Sequence, residues 1–172
     1  MSATRREALA LAVVVAARPA SALAASTTEV TPLIALVAYQ QEVVFGYDVT
    51  LLRAPLERGD RPTLTGFRHD AAVAAAALRA ALKKVGGTPP PAPDPKTAQT
   101  PADPCRNGYL HEVILAEESA VARYYLALAQ LMDKRHLRGS AAFMAQTGRR
   151  LVVLRNMVGA PLLPRAFETG GA

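Results

Sequence analysis

The sequence predicts an all-α fold: four helices forming two antiparallel hairpins, joined by a long crossover. Three observations carry that expectation. Apolar residues recur at three- and four-residue intervals over four stretches of roughly twenty or more residues, the period of one helix face. Gly and Pro fall at the ends of those stretches. Seven prolines crowd residues 87–104 and divide the chain into two halves of similar length.

Composition sets the outer bounds. A chain of 172 residues with 51% apolar content can bury one core but is too short for two full enzyme domains. The single cysteine, Cys105, excludes an intramolecular disulfide and any Cys-based zinc or iron–sulfur site within the chain. A net charge of +6 favours anionic neighbours. Aromatic residues are scarce and the Lys and Arg scattered, so no specific nucleic-acid module is expected.

Taken in order, residues 1–24 read as an export signal. Arg5 and Arg6 precede an apolar run from Leu9 to Ala17, and Ala22-Leu23-Ala24 supplies the small-residue end. That run is far shorter than the roughly 20 residues that span a bilayer. Thr4-Arg5-Arg6 followed by Leu9, with Arg18 downstream, resembles a twin-arginine signal, although Ala8 stands where an aromatic or Leu is usual. An ordinary secretory signal is the alternative route. Cleavage after Ala24 removes three arginines and one glutamate, leaving a net charge of +4 and no membrane span. The mature protein is then expected outside the cytoplasmic membrane, in the periplasm, the cell wall or the medium.

Helix one is expected over residues 28–53, opened by Thr28-Glu29 with Pro32 in its first turn. Gly59-Asp60-Arg61-Pro62 breaks the chain before helix two at residues 65–85, which Gly86-Gly87 ends. Ala71 to Ala81 is nearly all Ala, the best helix former and small enough for close helix approach. The prolines of residues 87–104 forbid helix and favour an extended path of about 3.1 Å per residue, long enough to travel the bundle. Helix three is expected over residues 106–133 and helix four over residues 137–158, with Asp133-Lys134-Arg135-His136 as the turn between them. Gly159 and Pro161 stop helix four, and residues 159–172 form a tail.

The halves repeat. Ala38 to Tyr47 aligns with Leu115 to Tyr124 at an offset of 77, and Leu78-Arg79 aligns with Leu154-Arg155 at an offset of 76. A duplicated helical hairpin gives the connectivity of ferritin-like bundles. With these motifs the chain, over residues 28–158, resembles the exported ferritin-like domain proteins of bacteria, and Pro164-Arg165-Ala166-Phe167 resembles their tails. In metal-binding members each half supplies a Glu seven residues before a Tyr and a Glu-x-x-His on its second helix, which together bridge two iron or manganese ions.

Carried over position by position, those ligands fall on Gln40, Ala71 and Ala74 in the first half and on Glu117, Thr147 and Arg150 in the second. Of the six, only Glu117 keeps a ligand-type side chain. Two divalent ions need anionic oxygens to balance about four positive charges, and Arg150 would add a permanent cation instead. The dinuclear site is therefore expected to be lost, with Glu117 and Arg150 forming a core ion pair and Gln40 and Thr147 hydrogen-bonded nearby.

The expected role is a binding or structural one in the cell envelope, without catalytic residues or cofactor, as a homodimer or with an envelope partner. The alternative is an iron- or manganese-dependent oxidase, peroxidase or iron-handling protein. A third possibility is a small-ligand carrier using the space left by Ala71 and Ala74. His69-Asp70 and His111-Glu112, with Glu42 and Glu118, are the remaining candidates for a displaced single-metal site, but adjacent helical residues point about 100° apart, so neither pair chelates locally. Tyr47 and Tyr124 are expected as core aromatics. Cys105 is expected as a free thiol near the linker. No Gly-x-Ser-x-Gly elbow or phosphate-binding glycine loop occurs.

Overall fold

The computed structural model describes residues 20–161, with side chains from Glu29 onward. The arginine pair and apolar run of the expected export signal, and the tail from residue 162, lie outside the described residues. Four helices follow in order: α1 (Ala20–Arg53), α2 (Asp60–Lys84), α3 (Arg106–Leu128) and α4 (Lys134–Met157), with a single 3₁₀ turn at Pro95–Thr97 in the crossover. Among the described residues there are no strands. The fold is an all-α four-helix bundle in which α1 runs antiparallel to α2 and α3, and α3 antiparallel to α4.

Four helix boundaries differ from the sequence reading by three residues or more. α1 begins at Ala20 rather than residue 28, which puts Pro32 inside the helix. The Ala-rich stretch upstream propagates a helix, and Pro32 costs the ladder its own N–H bond. α2 begins at Asp60, not residue 65, because Pro62 sits in the first turn, where a missing N–H is harmless. α3 stops at Leu128, and α4 begins at Lys134 behind Asp133, whose carboxylate accepts the Arg135 N–H at 2.6 Å. Asp133 is thus an N-cap, and His136 belongs to the first turn of α4 rather than to the connection.

The two hairpins close alike. After α2, the Gly86 and Gly87 N–H groups donate to the Lys83 and Leu82 carbonyls; after α4, those of Gly159 and Ala160 donate to Asn156 and Arg155. Each is a Schellman closure, and each needs a left-handed residue: Gly86 has φ +83° and Gly159 φ +67°.

The crossover runs along α1 toward its C-terminal end. The Gln41 side chain donates to the Pro90 carbonyl, and Arg53, at the other end, donates to the carbonyls of Pro95, Lys96 and Ala98. Proline-rich backbone has few N–H groups but many carbonyls, so a guanidinium is an apt clamp. The chain then enters α3 at Cys105, an exposed thiol that donates to Asp103 and accepts the Gly108 N–H. Leu33, Val37, Leu82, Leu110 and Leu154 are fully buried at the centre of the apolar core.

Candidate functional site

Halfway along the bundle the apolar core gives way to a polar layer. α1 supplies Gln40 and Tyr47, seven residues or two turns apart and so on one face; α3 supplies Glu117 and Tyr124 at the same spacing. Each tyrosine reaches across to the other half. The Tyr47 hydroxyl donates to Glu117 Oε1 at 2.7 Å, and the Tyr124 hydroxyl donates to Gln40 Oε1 at 2.8 Å. The reciprocity follows from the offset of 77 between the halves: position and partner exchange roles.

The second helix of each hairpin completes the layer. On α4, Arg150 lies one turn from Thr147; its Nε donates to Glu117 Oε1 at 2.5 Å, its Nη2 to Glu117 Oε2 at 2.9 Å and to Thr147 Oγ1 at 3.0 Å. On α2, the Ala71 carbonyl accepts from Gln40 Nε2 at 3.3 Å. Glu117 is fully buried and Arg150 only 4% exposed, so this fork-shaped pair is cut off from water. Ala74 is buried on α2 without a polar role. The structure thus joins Gln40 to Ala71, and Arg150 to both Glu117 and Thr147.

Electrostatically the layer is closed. Burial drives the Tyr47 hydroxyl well above the usual tyrosine range, and the neighbouring Glu117 carboxylate adds to that. Burial likewise raises Tyr124. Both hydroxyls are held protonated as donors. Burial works against the Arg150 charge, but its hydrogen bonds to Glu117 outweigh this and hold the guanidinium protonated.

The donor set does not fit a pair of metal ions. Both Glu117 oxygens already accept from Arg150, and the guanidinium puts a fixed positive charge where a second-half imidazole would ligate. Gln40 contributes a neutral amide whose oxygen is taken by Tyr124. These hydrogen bonds tie α1, α3 and α4 together at one level of the bundle.

No protein-family model and no curated protein matches the chain. Among solved structures, the fold is similar to that of a conserved hypothetical protein, Rv2844, from Mycobacterium tuberculosis, with a TM-score of 0.69 over 81% of this chain and 96% of that one. At 11% identity the likeness shows the shared fold alone.

The other sequence candidates stay apart. His69, Asp70, His111, Glu112 and Glu42 are solvent-exposed, and Glu118 pairs with Arg155 at 2.5 Å. Among the described residues no group of three His, Cys, Asp or Glu side chains is arranged to hold a metal ion. Nor is any helix there long and apolar enough to cross a membrane. Among the described residues, Ala71 and Ala74 line neither the cleft beside Ser140 and Phe143 nor that between Arg68 and Arg79.

Sequence reasoning missed a second buried carboxylate. Glu29, expected as a first-turn residue of helix one, is 3% exposed and accepts from the Met132 and Asp133 N–H groups at 2.6 and 2.5 Å, with His136 Nδ1 at 2.7 Å. It therefore binds the N-terminal end of α4, where the helix dipole favours an anion. A third polar knot, Asp60 with Arg106 at 2.6 and 2.8 Å, ties the other end, and Arg106 also donates to the Met157 carbonyl. Only tertiary contact over 46 to 107 residues of sequence reveals these partners.

Proposed function

We propose that the protein is an exported, non-catalytic binding or structural component of the cell envelope, built on a ferritin-like bundle whose dinuclear position has become an ion pair. One observation carries this reading: the Arg150 guanidinium holds both oxygens of Glu117, the only ligand-type residue among the six positions. Displacing it would strand a buried cation and a buried carboxylate together, a loss of several kcal/mol that metal binding would first have to overcome. The reciprocal tyrosine bonds add to this, since they spend the remaining acceptors on holding the hairpins together.

The experiment is a metal titration. Full-length protein is equilibrated with Fe(II) or Mn(II) under anaerobic conditions, desalted, and assayed for bound metal and for oxidation of Fe(II) on admitting air. Bound metal far below one ion per chain, and no oxidation above the buffer rate, are expected; near two ions per chain restores the oxidase reading. Export is tested separately. Replacing both Arg5 and Arg6 by Lys is expected to strand the protein in the cytoplasmic fraction, while a variant that is still exported would argue for the general secretory route.

A further inference from the structure

A cleft of about 270 Å³ lies outside the central layer, between α1, α2 and the crossover. Its two arginines sit on one stripe of α2. Arg68 and Arg79 are eleven residues apart, three turns along the same helix face. Arg68 is spoken for: it grips Asp48 of α1 through two hydrogen bonds at 2.9 and 3.2 Å. Arg79 is different. Its Nε is buried and finds no hydrogen-bond partner among the described residues. A guanidinium cannot shed its charge, and a buried donor left unpaired is costly, so this one lacks an acceptor that the chain does not supply.

Apart from Asp48 and Gln41, whose amide donates to the Pro90 carbonyl, the rest of the cleft is lined by apolar side chains. Val44 and Phe45 wall it from α1, and Ala92 and Pro93 close it from the crossover. Between the two arginines α2 presents only Ala72, Ala75 and Ala76, whose single methyl groups are what leave the space open. With Asp48 cancelling Arg68, one positive charge remains at one end of the alanine stripe. The volume of the cleft falls just below the usual range for drug-sized ligands, which suits a short chain with one charged end.

We infer that this cleft binds a small linear monocarboxylate, the Arg79 guanidinium taking the carboxylate side-on and the alanine stripe taking the hydrocarbon. A carboxylate matches the guanidinium fork with two parallel hydrogen bonds and satisfies the orphaned Nε. The cleft shares no residue with the mid-bundle layer, so this inference is independent of the metal reading and can fail without it.

The test is an NMR titration of the isotopically labelled full-length protein with octanoate. Saturable shifts at the Phe45, Ala72 and Ala76 amides are expected. Arg79→Gln should weaken binding at least tenfold. Octanol, with the chain but no charge, and inorganic phosphate, with charge but no chain, should each bind at least tenfold more weakly than octanoate. Ala76→Phe, at an exposed position that borders the cleft, should abolish the shifts while leaving the thermal midpoint near that of the parent. The inference is overturned if octanoate gives no saturable shifts, binds Arg79→Gln as tightly as the parent, or is matched by phosphate or octanol.

Discussion

Removing one member of the Glu117–Arg150 pair should harm the protein more than removing both. Arg150→Met leaves a fully buried carboxylate with only the Tyr47 hydroxyl to balance it, and breaking a buried pair in this way costs about 3–5 kcal/mol. Glu117→Leu combined with Arg150→Met removes the stranded charge but orphans the Tyr47 hydroxyl, at about 1–3 kcal/mol. Adding Tyr47→Phe removes that orphan as well. Urea unfolding followed by circular dichroism should therefore rank the triple variant most stable of the three and Arg150→Met least. A cost below about 1 kcal/mol for Arg150→Met alone would mean that the guanidinium escapes to water and contributes nothing to the core. At this scale the sequence was informative about position and less so about partner. The seven-residue Glu-to-Tyr spacing placed Gln40, Tyr47, Glu117 and Tyr124 on inward faces, yet that each tyrosine bonds the opposite half is a property of helix register, which no local pattern encodes.

Between elements, the ends of the bundle are held by charge, and charge responds to pH. Burial alone would raise the Glu29 carboxyl, but hydrogen bonds from the Asp133 N–H, His136 and the Met132 N–H win and hold it below its ordinary value of 4.5. The Arg106 hydrogen bonds likewise hold Asp60 below its ordinary 3.8, against some desolvation. A carboxyl whose folded value is depressed binds its proton more readily in the unfolded chain. Its stabilisation is complete above the unfolded value and is lost as pH falls through the folded one. Unfolding free energy should thus be nearly level from pH 7 to about 5 and fall below about pH 4.5. Glu29→Gln should lower the plateau by about 1–3 kcal/mol and make the acid limb shallower. An unchanged urea midpoint between pH 3 and 6 would show that these contacts do not link protonation to folding. Helix interiors were legible because period and Ala content agree there, and helix ends less so. α2 starts at Gly59-Asp60 without a side-chain cap hydrogen bond, and Asp60 serves Arg106 instead, so the usual capping signal was absent from the place where the helix begins.

For the molecule as a whole, the question raised by a duplicated hairpin is whether each half folds as a unit. The fold class was legible because helical periodicity sets the elements and loop length sets their order: tight closures within halves and a proline-rich strap between them leave few other arrangements. Cooperativity was not, because it depends on what crosses between halves. The halves meet along α1 and α3, while α2 and α4 touch only sparsely. Yet polar ties cross the boundary at three levels: Glu29 to the start of α4, the paired tyrosine bonds at the centre, and Asp60 to Arg106 at the far end. Opening either hairpin alone would strand buried partners in the other, at about 1–3 kcal/mol for each orphaned group. A half of this chain is also too small to bury a comparable fraction of its surface. Unfolding should therefore be a single transition, with calorimetric and van't Hoff enthalpies in agreement at about 100 kcal/mol near 60 °C for the roughly 140 described residues. Far-ultraviolet circular dichroism and the NMR signals of Tyr47 and Tyr124 should follow the same curve. Weakening the boundary with Tyr47→Phe and Tyr124→Phe together should lower the midpoint by several degrees while leaving one transition, because the ties at the two ends persist. Two resolved transitions in the parent protein, one assignable to each hairpin, would show that the halves are independent and that the tyrosine exchange at the centre is incidental to the fold.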